Sequence, residues 1–418
     1  MLKILHTADW HLGKRLHGHT LLPEMRLFFD WILGGCLDAH QVDVLLIAGD
    51  IFDSANPPHE ARQAYFDFLR QLISRNITVV VLGGNHDSPA VLDAPRDILQ
   101  LLKIQVLGKI PQNMAAQLLV LSKNGQPEAV LGMVPFLLDA DIRRAVEAEA
   151  SHDRIARTRM GIRAHYTQLV ATATELHPDL PLVATGHLFA KGGETSESER
   201  QIQVGNLADI DFSSFQHQFA YLALGHLHRP QKVGGLAHFR YSGSPVALSF
   251  DEIGHKKQVV LLTIDEKKLQ HIETIEIPTF RELLKIDGKL EEIEAELIQK
   301  VAEKKSKNQT NLTTFVDITV RRMPEEINPT EKIREWVSTQ PFDGFNIITQ
   351  RILRHQNAQN TDDTGGGHLL QNIQHLSDIK PIELLKMRIQ KEGIEDEATK
   401  QRIESAFLEI LETLEEEN

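Results

Sequence analysis

Short runs of valine, isoleucine and leucine recur along this 418-residue chain, and their endings constrain it most. The runs are Leu2–Leu5, Val42–Ala48, Ile77–Leu82, Val130–Val134, Leu182–Thr185, Tyr221–Leu224 and Val259–Ile264. Runs this short and this apolar read as strands buried on both faces. Helical patterns separate the early ones. Pro23–His40 carries Leu27, Phe28, Trp31, Ile32 and Leu37, and Pro57–Asn76 carries Ala61, Ala64, Tyr65, Phe68, Leu69, Leu72 and Ile73. Strand alternating with helix predicts an α/β fold. After Ile210 the runs crowd together between glycine and proline turns, which predicts a more antiparallel second half of the sheet.

Five of the runs end at chemistry. Asp9-Trp10-His11 follows the first, and Gly49-Asp50-Ile51-Phe52-Asp53 the second. Gly83-Gly84-Asn85-His86-Asp87, Gly186-His187 and Gly225-His226-Leu227-His228 follow three others. The carboxyl ends of strands in an open α/β sheet face one crevice, where ligands bind. Oxygen and imidazole donors without thiolate suit manganese, iron or zinc in an open site. In Asp9-x-His11 and His226-x-His228 the paired residues point the same way if the segments are extended. The set is large enough for two ions sharing a carboxylate. Two ions about 3.5–4 Å apart clamp a phosphate and activate water.

Composition closes other routes. A single cysteine, Cys36, excludes an intramolecular disulfide framework and a cysteine-rich zinc fold. No apolar run nears the roughly 18 residues of a membrane-spanning helix, and the start MLKILHTADWHLG lacks a leader pattern. The expectation is a cytoplasmic protein. The net charge of −13 argues against a basic nucleic-acid footprint in the total. However, twelve acidic and six basic residues lie between Asp378 and Asn418, so much of the excess is local. Net charge also leaves room for metal ions that bind phosphate themselves. No Gly-x-x-x-x-Gly-Lys-Ser/Thr segment occurs, so ATP hydrolysis by this chain is not expected.

Taken one at a time the segments are weak, since Asn-His-Asp is commonly a turn and Gly-His a capped loop. Together and in this order they resemble the calcineurin-type metallophosphoesterase signature. His6–Gly13, Ala48–Asp53, Gly84–Ser88, Gly225–Arg229 and Gly243–Glu252 are similar, more closely, to the SbcD-type nuclease subunits of bacterial SbcCD complexes. The similarity spans about Met1 to Leu353, and Gly243–Glu252 is its most particular piece. The resemblance implies a four-layer α/β/β/α sandwich over 1–277. After it, helical Leu290–Glu303 and Pro329–Val337 alternate with strand-like Phe315–Val320 and Phe345–Leu353, which predicts a small α+β domain over 278–354, by resemblance a capping, DNA-binding one. Polar, glycine-rich His355–His368 predicts a flexible linker over 355–377, followed by a helical tail over 378–418 that the resemblance makes partner-binding. The resemblance also implies one ion on Asp9, His11, Asp50 and His228 and a second on Asp50, Asn85, His187 and His226, both most often Mn2+. His86 would be the general acid or transition-state stabiliser rather than a ligand. Asp53 stands where some relatives have histidine and receives no proton-transfer role, while Asp87 would buttress its turn or orient a ligand histidine.

The implied activity is a 3′→5′ exonuclease on duplex DNA and an endonuclease on single strands and hairpins. It would serve recombination, repair and replication and associate with the nucleoid on DNA. The implied partners are DNA and an SbcC-type coiled-coil ATPase that regulates access to the site. Val91–Leu102 and the helix before it would form a homodimer contact within a heterotetramer, set against the plainer reading that this stretch packs on its own sheet. Tail helices Pro381–Lys391 and Glu397–Glu415 would dock on the coiled coil. Two rival readings share the metal signature: a small-substrate metallophosphatase or cyclic-nucleotide phosphodiesterase, and a non-catalytic scaffold. Trp10 is read as core, and Lys14 and Arg15 as either phosphate contacts or a surface pair.

Overall fold

The computed structural model describes residues 1–138, 141, 154–195, 210–307, 312–322, 331, 335–336 and 344–354. Beyond these it describes 382, 385, 388–389, 396, 399–400, 403 and 407. The chain separates into two units, Met1–His355 and Gln356–Asn418. The linker His355–His368, the tail helices and a helix expected at Pro329–Val337 lie outside the described residues or touch them only at isolated positions. In the second unit the Asp396 carboxylate accepts the Thr399 N–H at 2.8 Å, as a helix-capping aspartate does.

Two six-stranded sheets organise the first unit. The first contains β1 (Leu2–Thr7), β4 (Val44–Ala48), β5 (Thr78–Leu82), β6 (Ile104–Leu107), β13 (Gln258–Asp265) and β14 (Lys268–Glu276), in the order β14-β13-β1-β4-β5-β6. Its β1, β4, β5 and β6 are parallel, and β13 and β14 extend it antiparallel. A hairpin, β2 (Arg15–Leu16) with β3 (His19–Thr20), leaves β1. Helices α1 (Leu22–Trp31), α2 (Leu37–Ala39), α3 (His59–Leu72), α4 (Pro89–Asp93) and α5 (Arg96–Leu101) follow in the connections. A π-helical turn over Ile32–Cys36 joins α1 to α2.

The second sheet contains β7 (Leu118–Lys123), β8 (Gln126–Gly132), β9 (Leu182–His187), β10 (Tyr221–Gly225), β11 (Gln231–Val233) and β12 (Leu236–Tyr241), in the order β11-β12-β10-β9-β8-β7. Its central strands β8, β9, β10 and β12 are parallel, and only β7 and β11 at the edges run antiparallel. The later strands therefore do not form an antiparallel half of one sheet. Most build a second, largely parallel sheet, while β13 and β14 return to the first.

Each strand alternates its side chains between two dry surfaces. Leu2, Ile4, Val44, Leu46, Val80 and Leu82 meet Leu131, Val183, Tyr221 and Ala223 between the sheets. The alternate residues Leu5, Leu45, Ile47, Val79 and Val81 face Phe28, Phe68 and Leu69 of α1 and α3. On the far side, Val130, Ala184, Leu222 and Leu224 face Ile162, Tyr166 and Leu169 of α6 (Arg154–Leu176). That is the four-layer α/β/β/α sandwich. Trp10 is wholly buried against Phe28, Phe29 and Phe68 and donates its indole N–H to Thr7 Oγ1 at 3.1 Å. It is a core residue, as expected.

Residues after Pro278 form a parallel three-stranded sheet, β15 (Leu283–Gly288), β16 (Thr314–Arg322) and β17 (Phe345–Arg354), with α7 (Leu290–Lys307) between its first two strands. Ile286, Ile293, Leu297, Val316, Ile318 and Val320 make its own core. Strand β15 is absent from the sequence reading, because Leu283–Asp287 is brief and alternates weakly. Phe315 packs into the main core, and the Arg281 guanidinium lies 3.9 Å over its ring while pairing with Glu24 of α1.

Candidate metal centre

The ends of β1, β4 and β5 in the first sheet and of β9 and β10 in the second open on the same seam. All eight expected site residues lie there. Asp9, His11, Asp50, His187, His226 and His228 are buried, and Asn85 and His86 are half-buried.

The first-sheet loops hold one another. Asp9 N–H donates to Gly49 C=O at 3.0 Å, His11 N–H to Asp50 C=O at 3.0 Å, and Leu12 N–H to Ile51 C=O at 2.9 Å. The Asp87 carboxylate accepts N–H groups of Gly84, Ile51 and Phe52 at 2.8, 3.0 and 2.9 Å, tying the β4 loop to the β5 loop. Burial and then the nearby Asp50 charge push the Asp87 pKa up to about 6. These bonds impose a backbone unlike the extended one expected. Asp9, His11 and Asp50 have φ of +54°, +45° and +49°, and His226 has +105°. The paired residues converge through left-handed kinks, a costly conformation held by tertiary hydrogen bonds and typical of ligand loops. Gly49, at φ +93°, leaves no room for a Cβ, which would collide with the His187 ring.

Asp50 is the hub. Its Oδ2 lies 3.2 Å from His187 Nε2 and 3.5 Å from His11 Nε2, and its Oδ1 accepts the His86 N–H at 3.0 Å. Asn85 Oδ1 lies 3.0 Å from both His187 Nε2 and His226 Nδ1. Asp9 Oδ1 accepts the backbone N–H of His226 at 2.8 Å. His11 Nε2 and His228 Nε2 face each other at 3.1 Å. Burial would raise the Asp50 pKa, but His187 holds it well below the carboxylate range. Burial likewise opposes the charge on His187, yet Asp50 outweighs it and lifts the imidazole to about 9. Burial lowers His11 to about 4 and His226 to about 3.

Two further acids support the site. Asp53 Oδ1 lies 3.3 Å from His11 Nδ1 and 3.1 Å from Lys14 Nζ, and its backbone carbonyl lies 2.9 Å from His86 Nδ1. Glu252 lies 3.6 Å from His228 Nδ1 and 2.5 Å from Lys257 Nζ. Burial would raise the Glu252 pKa, but Lys257 drives it well below the carboxylate range. Glu252 closes the Gly243–Glu252 segment already singled out, but nothing in that segment's sequence ties it to His228. Lys14 therefore pairs with Asp53, and Arg15 Nε donates to Gly18 C=O at 3.0 Å.

The donor set fits divalent cations. A proton on each Nδ1, facing Asp53 and Glu252, leaves two bare Nε2 lone pairs pointed at each other across 3.1 Å, which a shared cation relieves. His226 Nε2 is buried without a partner among the described residues. Asp9, Asp50 and His187 can bring ligand atoms within 4.8 Å of one another, as can His11, Asp50 and His86. The second trio puts His86 at the rim of the same cluster.

Comparison with known proteins agrees. Residues 2–230 match the calcineurin-like phosphoesterase family. The SbcD component of the SbcCD nuclease of Escherichia coli K12 is 33% identical over 99% of this chain and 98% of its own length. The SbcD components of the same nuclease from Rhodobacter capsulatus and Bacillus subtilis are 37% and 34% identical over 63% and 62% of this chain, covering 66% of each relative.

Proposed function

The chain belongs to the calcineurin-like phosphoesterase family and, within it, to the SbcD nuclease subunits, and from that membership and the site we infer a divalent-metal DNA phosphodiesterase. The observation that carries the reading is the position of Asp50, within 3.5 Å of imidazoles from both sheets. One ion site is Asp9, His11, Asp50 and His228, and the other is Asp50, Asn85, His187 and His226. Manganese suits this thiolate-free set of oxygen and imidazole donors. Ions bound there would neutralise phosphate charge and make water nucleophilic near neutral pH.

His86 manages the proton. A carbonyl only accepts, so the 2.9 Å contact with Asp53 C=O fixes the proton on His86 Nδ1. Nε2, buried without a partner among the described residues, is then the nitrogen that takes up a second proton from solvent, and the imidazolium so formed would hand that proton to the leaving oxygen and return to its neutral Nδ1–H form. The half-buried ring stays beside the phosphate position, its centroid 4.9 Å from that of His11.

The relatives' shared name places them in a complex of more than one kind of chain, so we read this chain as acting on DNA with an SbcC-type ATPase that gates the site. Residues 278–354 would cap the bound DNA, 355–377 would link, and 378–418 would grip the partner. Leu92 and Leu99 pack inward, whereas Ile98 and Leu101 are 68% and 84% exposed. That outer face suits contact with a second copy, giving a homodimer within a heterotetramer. The setting is the cytoplasm, on the nucleoid. Among the described residues no helix is long and apolar enough to cross a membrane.

The test is manganese-dependent cleavage of a hairpin-ended duplex, polarity read from labelled ends, with and without an SbcC-type partner and ATP. Wild type should cut, and His86→Ala should lose about 10²-fold or more while still binding ions. Turnover of a small aryl phosphodiester without DNA cleavage under any partner condition would overturn the nuclease reading.

A further inference from the structure

Glu252 is buried and distant in sequence from every expected ligand, and it is neither an ion ligand nor a proton donor in the reaction above. A buried Lys–Glu pair is commonly no more stabilising than a well-packed apolar pair. Stability alone therefore does not account for Glu252 with Lys257. The pair sits directly behind His228. Glu252 Oε2 receives Lys257 Nζ at 2.5 Å and the Leu248 N–H at 3.2 Å, which aims Oε1 at His228 Nδ1. Lys257 Nζ also donates to Ser244 Oγ at 2.8 Å and to the His228 carbonyl at 3.3 Å. Ser244 N–H donates to that same carbonyl at 3.1 Å. Both the ring and the backbone of His228 are thus gripped by the Gly243–Lys257 stretch.

The same arrangement occurs at the opposing imidazole. His11 Nδ1 faces Asp53, and Asp53 is paired with Lys14. Two histidines that meet Nε2 to Nε2 are each backed at Nδ1 by a lysine-paired carboxylate. We propose that Glu252, neutralised by Lys257, is the positioning residue for His228, accepting its Nδ1–H so that Nε2 is presented to the ion it shares with His11. The contact of 3.6 Å is longer than a formed hydrogen bond and needs to close by about half an ångström. An imidazole held this way has its tautomer and orientation fixed and is a better ligand.

The proposal rests on His228 being a ligand, and the experiment separates the two ideas. Manganese binding to the full chain is measured by calorimetry and by the paramagnetic resonance of free Mn2+, with melting followed in parallel. Wild type should bind two ions. The double variant Glu252→Leu/Lys257→Met, which removes both charges, should melt near wild type. One ion should weaken about 10–100-fold, and the other should not change. Glu252→Gln/Lys257→Met, which keeps an accepting oxygen, should restore most of that affinity.

Unchanged binding in a folded Leu/Met variant overturns the proposal, as does parallel weakening of both ions with a lowered melting temperature. Histidine 15N shifts of the ion-free wild type, with His228 assigned against His228→Ala, provide a readout independent of variant folding. The Nδ1–H tautomer is expected, and Nε2–H overturns the idea. Unchanged manganese binding in His228→Ala instead removes His228 from the ligand set, whatever Glu252 does.

Discussion

The two sheets bring different chemistry to the seam. The first supplies Asp9, Asp50 and Asn85, all the oxygen donors of the proposed ligand set, together with His11 and His86. The second supplies only imidazoles: His187, His226 and His228. The first-sheet loops are cross-bonded among themselves, through Asp9 to Gly49, His11 to Asp50 and Asp87 to three backbone N–H groups. The second-sheet histidines are anchored across the seam. His187 Nδ1 lies 3.0 Å from Ala48 C=O, and the His226 backbone donates to Asp9. Deeper in, His6 Nδ1 meets the Tyr221 hydroxyl at 3.1 Å. One half of the site is thus built locally and the other by sheet packing, so ion binding reports on closure of the sandwich.

Asp50→Asn attacks the hub that both halves share and carries the largest expected effect. Both ions should weaken together, and nuclease activity should fall by more than the about 10²–10³-fold typical of one lost electrostatic contact at a reacting centre. Melting of the ion-free protein should change far less than activity. Calorimetry with manganese beside a cleavage assay decides it, and loss of one ion alone would assign Asp50 to a single site.

Gly225→Ala tests the seam without replacing a proposed ligand. A Cβ on Gly225 would collide with the Ala48 carbonyl of the first sheet and crowd the His187 ring. The expected outcome is a stability loss of about 1–3 kcal/mol, the scale of overpacking a core, with weaker ion binding because His226 and His228 are carried away from Asp9 and Asp50. A denaturant melt and a manganese titration check both. Normal ion binding in this variant would show that the second-sheet histidines reach the seam through loop freedom rather than strand packing.

This difference also explains what the sequence disclosed. Asp9, Asp50, Asn85, His187 and His226 were legible because each follows an apolar run, and burial plus punctuation is local information. The left-handed backbone of Asp9 and His11 was not, since those residue types do not ask for positive φ and distant carbonyls at Gly49 and Asp50 impose it. Pairing of β10 with β12 in parallel was likewise hidden, because strand partners are chosen by packing rather than by period. Roles for Asp53 and Glu252 were out of reach for the same reason, each acting on a histidine far along the chain.

The most gradual expected effect is on pH, spread over more than two pH units, and it isolates a single second-sheet histidine. In the ion-free protein the His187 imidazolium faces Asp50 Oδ2 and Asn85 Oδ1 with Nε2 and Ala48 C=O with Nδ1. Burial opposes the charge, Asp50 overcomes it, and the pKa rises from 6.5 to about 9. A folded-state pKa above the unfolded value contributes stability that is complete below about pH 6.5 and is lost as pH climbs through about 9. The melting temperature of chelator-treated protein should therefore decline across that window. Ion binding at the same nitrogen needs the proton gone, so manganese affinity should rise over the same range, by at most about tenfold per pH unit. His11 and His226, held at about 4 and about 3, are already neutral there and add no slope. Calorimetry in buffers of different ionisation enthalpy counts the protons released. A flat affinity between pH 6.5 and 8.5 would remove His187 from the ligand set and leave the second sheet contributing through His226 and His228 alone.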